Sequence, residues 1–352
     1  MYKKKYLSNQ SLKDLNTFAM DVTAKKIVFV KTIQSLINIS KICKSFRLPY
    51  IILGEGSNIL FLENYTGVVI INRIKGIKII EKKNSWLLYV FSGEKWHDLV
   101  KLTLNLGIFG LENLALIPGC IGSAAIQNIG AYGLEFKDIC QYVDVLSFKN
   151  NTTTRIHKKS CKFSYRNSIF KNRYNYEYAV IGVGIKLSKK WNPIVFSSFK
   201  HYIKPVNMTA YNIFDIICKI RTKKLPNPKK IGNAGSFFKN PIITKEKAQK
   251  LKNLYKIPNY SEKNNLVKIS GGCLIENYQF KHLQIGGASI HKTQKLILIN
   301  KNNASPQDII KLAKIIRTCI LKKFNILLEP EIDFIGSSGK VKSSDVFKLN
   351  DN

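Results

Sequence analysis

The sequence predicts an α+β protein of more than one domain, and three observations predict it. Between Lys26 and Leu62 short apolar runs alternate with an amphipathic segment. From Gly67 to Ser92 β-branched runs follow one another, broken by Gly and Asn. Near Leu225-Pro226-Asn227-Pro228 the composition shifts across two prolines that suit an extended linker. A chain of 352 residues is long enough for two or three packed domains.

In chain order, Val28-Phe29-Val30 reads as a strand, and Thr32 to Phe46 as an amphipathic helix with Thr32 as N-cap. Pro49 to Leu53 gives a second buried strand that runs into Gly54-Glu55-Gly56-Ser57-Asn58. Trp96 to Asn105 has helical spacing, and Leu114 to Tyr132 is rich in Gly, Ala, Ile and Asn but poor in charge. Strand-like runs return at Tyr142 to Phe148 and Ala179 to Leu187. Beyond the linker come helices near Lys245 to Leu254 and from Pro306 to Phe324, then a final strand over Ile326 to Ile335 and a polar tail. No solenoid period is visible.

Composition excludes several classes. No window approaches the roughly 20 apolar residues of a membrane-spanning helix. The basic start, Met1 to Tyr6, is followed by polar Ser8 to Ser11 where a signal peptide carries its apolar region, so the expected location is the cytoplasm. Seven cysteines, an odd number without zinc or dithiol spacing, read as reduced thiols that fill apolar space, with no metal site. The net charge of +35 comes from lysines spread over the whole chain with abundant Asn and Ile, as in Lys295 to Asn303. That is the mark of AT-rich codons, not of a nucleic-acid surface, although it gives a mild attraction for anionic substrates.

Five segments carry candidate chemistry. Gly54-Glu55-Gly56-Ser57-Asn58 follows a buried strand, and its glycines allow amides to converge on a phosphate; a plain tight turn has the same pattern. Pro118 to Gly133 removes side-chain bulk over a long run while Ser123, Gln127 and Asn128 keep hydrogen-bonding capacity. It suits a flat ring and a pyrophosphate, or a glycine-rich core crossing. Arg166, in Phe163-Ser164-Tyr165-Arg166-Asn167-Ser168, offers a planar clamp for a carboxylate, or an ordinary ion pair. Ser236, in Gly232 to Pro241, lies on a small-residue turn backed by Phe237 and Phe238; it is a proton donor or a turn serine, and no nucleophile elbow surrounds it. Glu329 and Glu331 flank Pro330 in an apolar strand, which is costly unless the carboxylates are paired or functional.

Together these segments resemble the UDP-N-acetylenolpyruvoylglucosamine reductases of peptidoglycan precursor synthesis, in the branch with a substrate-gating loop. The resemblance runs from about Asn16 to Gly336, carried by LGEGSN (53–58), GLENLALIPGCIGSAAIQNIGAYG (110–133), FSYRNSIF (163–170), GNAGSFFKNP (232–241) and LEPE (328–331). It implies FAD held non-covalently on a vanillyl-alcohol-oxidase-type fold of two subdomains, 1–74 and 75–224. A C-terminal α+β substrate domain, 225–332, would follow, with the tail 333–352 packing back on the first subdomain. Gly54, Glu55, Gly56, Ser57 and Asn58, with Pro118, Gly119, Gly122, Ser123, Gln127, Asn128, Gly130, Ala131 and Tyr132, would hold the cofactor. NADPH would reduce the FAD and leave, and UDP-N-acetylglucosamine enolpyruvate would then enter the same cleft.

The resemblance further implies that Arg166 and Glu331 polarise the substrate carboxylate and that Ser236 protonates C2. Arg221, Lys224, Asn240, Tyr260, Lys268 and Gln294 would line the UDP-sugar site. A monomer, without nucleic acid and without membrane insertion, is the expected state. Two departures stand out: Ser197 occupies the position of the gating tyrosine, with Phe196, Phe199 and Tyr202 as neighbours, and Cys273 replaces a tryptophan. The competing readings are another flavin oxidase or dehydrogenase on the same fold, and a basic nucleic-acid-binding protein or decayed enzyme.

Overall fold

The first helix forms over Ile33–Ser45, and its start is a matter of local chemistry. Thr32 Oγ1 accepts from the Ser35 amide at 3.0 Å, and Ser35 Oγ accepts from the Thr32 amide at 3.2 Å. Each bond satisfies an amide that a helix end leaves without an intrahelical partner. The computed structural model describes residues 9–172, 177–195, 199, 208–280 and 282–348. Ser197, Phe196 and Tyr202 lie outside the described residues.

Helices Trp96–Asn105 and Pro306–Phe324 form over the residues that their spacing predicts, and Lys245–Tyr255 runs one residue further. Pro306–Phe324 opens on a second capping box, in which Ser305 and Asp308 each accept from the other's amide at 3.1 and 2.9 Å. Pro306 at its first position lacks only an amide hydrogen that has no helical partner there. Ile309, Leu312, Ala313, Ile316 and Ile320 then form one buried stripe. Among the described residues, three helices of seven residues or more go unpredicted: Ile121–Gln127, Ala210–Lys224 and Gly271–Tyr278.

The chain divides into two compact units, one of Lys26–Glu55 and Gly67–Lys223, the other of the segment up to Lys25, Gly56–Thr66 and the chain from Lys224 onward. In the first unit a five-stranded antiparallel sheet runs in the order Thr153–His157, Cys140–Ser147, Tyr178–Ser188, Ser85–Phe91, Ile77–Glu81. Its central register slips between Asp144 and Val145. Across that slip Val180 and Val183 enter a core with Trp96, Leu99, Ile121 and Ala124, while Ile181 enters a core with Leu36, Ile37 and Cys43. The sheet is therefore apolar on both faces. Parallel strands Tyr50–Leu53 and Tyr65–Asn72, joined through Leu53↔Ile71, belong to a second sheet in which Val68 to Ile71 are all buried.

In the second unit, Asp333–Gly336 pairs in parallel with Ile59–Phe61 and antiparallel with Gly339–Val341. Three more antiparallel strands, Ile242–Thr244, Leu266–Ile269 and Asn259–Lys263, form a small sheet. The strand predicted over Ile326 to Ile335 is interrupted: only Asp333–Gly336 is regular, and Pro330 makes an isolated bridge to Phe238. Pro330 carries no amide hydrogen, so a continuous ladder cannot pass through it.

Ser305→Ala removes the hydroxyl of the longest helix's capping box and lowers stability by about 1 kcal/mol. Urea unfolding followed by circular dichroism reads this as a lower midpoint, and Ser305→Asp restores it; an unchanged midpoint for the alanine variant refutes the cap.

Candidate active site

The glycine-rich stretch of the first unit is held from within. The Gly119 amide donates to Glu55 Oε2 at 2.9 Å, and Glu55 Oε1 pairs with Lys95 Nζ at 3.0 Å. The Cys120 amide donates to Ser123 Oγ at 3.0 Å, Ile121 to the Glu94 carbonyl at 2.9 Å and Gly122 to the Ser92 carbonyl at 3.0 Å. These four amides are thus engaged inside the fold. Ser123 donates back to the Cys120 carbonyl at 2.7 Å, and Gln127 accepts from Lys171 Nζ at 2.9 Å. Asn128 is fully buried in a left-handed conformation and bonds Glu135, the Ser164 carbonyl and the Lys137 amide. Ser123 and Asn128 therefore brace the stretch.

What the stretch offers a ligand is bare backbone. A Cβ on Gly54 would sit 3.1 Å from Cys120 Sγ, and one on Gly122 would sit 3.0 Å from Ser92 Cβ. Gly119 has φ +108°, a region closed to most side chains. Burial pushes the Cys120 thiol up to about 11, so it packs as a protonated, apolar side chain. Gly130, Ala131 and Tyr132 stay partly exposed. Gly54 and Gly122 thus allow close packing inside the fold, while Gly130 and Ala131 leave a partly exposed surface of low bulk.

Arg166 lies at the tip of a tight turn closed by mutual Ser164–Asn167 backbone bonds of 3.0 and 3.1 Å, with φ +53°. Ser168 Oγ donates to the Ile126 carbonyl at 2.7 Å and pins the turn to the helix Ile121–Gln127. A Cβ on Gly130 would lie 3.4 Å from Arg166 Nη1, so the missing side chain there leaves room for the guanidinium. Arg221, on Ala210–Lys224, donates to the Leu116 carbonyl at 3.2 Å and bonds the Tyr132 hydroxyl. Its Nε is buried, and burial lowers its pKa from the ordinary arginine value, with the Arg166 charge adding to the shift. The fold thus gathers Arg166, Arg221, Gly130 and Tyr132.

The second unit carries the rest. The Glu331 amide donates to the Phe237 carbonyl at 2.8 Å and the Lys239 amide to the Glu329 carbonyl at 2.9 Å. This short antiparallel bridge joins the segment of Glu331 to Phe237 and Phe238, which follow Ser236. Asn58, from the turn 54–58, donates to the Glu331 carbonyl at 3.3 Å, and its own carbonyl accepts from the Asp333 amide at 3.0 Å. Glu329 is exposed and paired with Lys239, so only Glu331 is partly enclosed. Asn240 Oδ1 accepts from the Gly271 amide at 2.9 Å, and Gly272 lies against Gln294. Lys268 pairs with Ile242 two residues beyond Asn240, and the Lys224 carbonyl accepts from Thr293 at 3.1 Å. Tyr260 belongs to the strand Asn259–Lys263. Cys273, at the departure from the family pattern, caps against Ser270 Oγ through its amide at 3.1 Å.

Sequence reasoning missed Glu112, Asn113 and Trp191. Buried Glu112 accepts from Trp191 Nε1 at 2.6 Å and from the Gly110 amide at 2.7 Å. Asn113 donates to the carbonyls of Tyr132 at 2.8 Å and Ile194 at 3.0 Å. The signal was a Glu-Asn pair inside an otherwise apolar segment, which must be hydrogen-bonded if buried. All seven cysteines are free, and no group of side chains suited to a metal occurs among the described residues. No described helix is long and apolar enough to cross a membrane.

Fold and site define a flavin-binding α+β oxidoreductase. Residues 24–156 match the FAD binding domain family, and residues 227–335 match the C-terminal domain of UDP-N-acetylenolpyruvoylglucosamine reductase. The UDP-N-acetylenolpyruvoylglucosamine reductase of Buchnera aphidicola subsp. Acyrthosiphon pisum is 79% identical over 350 residues, covering 99% of this chain and 98% of the relative. That of Escherichia coli K12 is 47% identical over 336 residues, covering 95% and 98%. The crystal structure of the Thermus caldophilus enzyme shares the fold at TM-score 0.64 and 22% identity, covering 93% of this chain and 98% of that one. The chain belongs to the UDP-N-acetylenolpyruvoylglucosamine reductase family.

Glu55→Ala removes both the acceptor of the Gly119 amide and the partner of Lys95. FAD released from the purified protein, read by its fluorescence, rises to a Kd at least about fivefold weaker, the effect of orphaning a buried amide. Unchanged retention would show that Gly119 needs no such anchor.

Proposed function

We propose that Arg166, Ser236 and Glu331 carry out the reduction of UDP-N-acetylglucosamine enolpyruvate by this FAD-dependent oxidoreductase of peptidoglycan synthesis, with NADPH as electron donor. FAD, when bound, supplies the hydride-transferring ring. Net reduction of the enolpyruvyl double bond adds a hydride at C3 and a proton at C2. Negative charge develops at C2 and spreads into the neighbouring carboxylate, so the protein must stabilise that charge and deliver the proton.

The observation that supports this reading is the 2.8 Å hydrogen bond from the Glu331 amide to the Phe237 carbonyl, which joins the segment of Glu331 to the residue that follows Ser236. Ser236 gives its hydroxyl proton to C2; a hydroxyl is a weak acid, but the developing carbanion is a strong base. Glu331 acts on the carboxylate in protonated form or through a hydrogen bond. Arg166 supplies a planar guanidinium for the carboxylate oxygens, and its tight turn against Gly130 supports a fixed approach. Arg221, Lys224, Asn240, Tyr260, Lys268 and Gln294 bind the UDP-sugar, with the cations toward its diphosphate and carboxylate. Gly54–Asn58 and 118–132 hold the FAD non-covalently.

The same reading takes the chain as a cytoplasmic monomer that serves cell-wall growth, and so cell shape and division. It divides the chain into FAD-binding subdomains 1–74 and 75–224, with the tail 333–352 on the first, and a substrate domain 225–332. The FAD-binding part is of the vanillyl-alcohol-oxidase type.

Anaerobic reduction of the protein's flavin band with NADPH, followed by UDP-N-acetylglucosamine enolpyruvate, tests the activity: prompt return of the band supports it, and a band that stays bleached opposes it. In the same assay Ser236→Ala leaves bleaching by NADPH at the wild-type rate and slows the return by more than ~10²-fold, the low end for a general acid. Equal slowing of both phases refutes the serine's role.

A further inference from the structure

The start of the helix Trp96–Asn105 grips the segment that leads into the glycine-rich stretch at three points. Trp96 Nε1 donates to the Leu114 carbonyl at 2.8 Å, and the Trp96 amide donates to the Gly119 carbonyl at 2.9 Å. Between them, the Leu116 amide donates to Nδ1 of His97 at 3.1 Å. Leu116 is left-handed at φ +55°, a conformation that costs a branched residue energy and persists only where the surroundings enforce it. Both of its backbone polar groups are taken: the amide by His97, the carbonyl by Arg221 Nη2 at 3.2 Å. The imidazole is itself oriented by stacking on Phe214, 5.8 Å between centroids and 5° between planes.

We propose that His97 is a positioning residue for the cofactor: its neutral ring, acting through the left-handed Leu116, sets Pro118 and Gly119 where FAD is held, and protonation releases them. This rests on the reading of 118–132 as the flavin-contacting stretch. A ring that accepts at Nδ1 has its proton on Nε2, and adding a second proton converts the acceptor into a donor aimed at the Leu116 amide. The charged groups that face the ring are Asp98 and Lys101 on its own helix and Arg221 on Ala210–Lys224. Phe214 and the segment Leu114 to Gly119 contribute none. Burial lowers the His97 pKa below 6.5, Lys101 and Arg221 lower it further, and Asp98 opposes them.

The sign follows. A histidine with a depressed folded pKa stabilises the fold fully above 6.5, and that contribution is lost as pH falls through the folded value. FAD retention should fall over the same acid window.

FAD release from the full-length holoenzyme on dilution, read by flavin fluorescence between about pH 7.5 and about pH 5, tests this. His97→Phe keeps the stacking ring and removes the acceptor; His97→Asn restores an oxygen acceptor that does not titrate. At the upper pH, His97→Phe weakens FAD binding by at least about fivefold, while His97→Asn stays within about twofold of wild type. Wild type loses affinity on acidification and His97→Asn does not. Wild-type retention by His97→Phe, or an acid loss that persists in His97→Asn, overturns the inference. Gly119→Val separates the two layers. If it releases FAD while His97→Phe holds it, the flavin reading stands and the clamp falls; if it too holds FAD as wild type does, the flavin reading falls and takes the clamp with it. Should His97→Phe lose its circular dichroism signal, wild type and His97→Asn decide across the pH range.

Discussion

A segment without bulk cannot hold itself in place. From Leu114 to Gly122 the chain has almost no polar side chain, yet each amide and carbonyl that it buries needs a partner. Those partners come from elsewhere in the first unit: Trp96, His97, Glu55, Glu94, Ser92 and Arg221. The surface that suits a flat cofactor is thus a consequence of support from behind. Side chains large enough to reach the backbone from the front would cover the surface they were meant to present.

The same logic explains why polar residues inside the glycine-rich stretch turn inward. Asn128 spends its amide on Glu135 and the Ser164 carbonyl, and through that carbonyl it fixes the turn that carries Arg166. Ser123 closes the first turn of Ile121–Gln127. In the second unit Pro330 ends the regular ladder and leaves a short backbone bridge around it, to which the Asn58 side chain adds one bond at the Glu331 carbonyl. A ladder that continued through this point would pair Glu331 as one strand residue among others. The interruption leaves it partly exposed, next to the serine's chain.

How much of this was legible in the sequence depended on range. Thr32 and Ser305 announce their helices because cap and capped amide lie three residues apart, and Trp96–Asn105 shows its period within one short window. Ala210–Lys224 carried the same signal in Ile213, Ile216, Ile217 and Ile220 but went unread beside the prolines that follow it. Ile121–Gln127 and Gly271–Tyr278 carry Gly, Ser or Cys in their first turns, whose weak propensity hides a short helix stabilised by packing. For the site, the motifs marked the right stretches, since glycine and small residues are local signals of close approach. The roles of Glu55, Asn113 and His97 were not legible, because each partner lies 19 to 81 residues away.

Arg166 and Arg221 raise a last electrostatic question. They are like charges close enough to lower Arg221's pKa, and Arg221's hydrogen-bonding partners, the Leu116 carbonyl and the Tyr132 hydroxyl, are neutral. Burial adds to the cost of its charge, yet an arginine shifted down from its ordinary value of 12.5 is not readily neutralised near neutral pH. A like charge near a buried guanidinium raises the cost of keeping it charged. Most of the described lysines of this +35 chain need no such account, their side chains reaching the surface. The distinction lies in burial: it sets Arg221 apart from the background field of solvated charge.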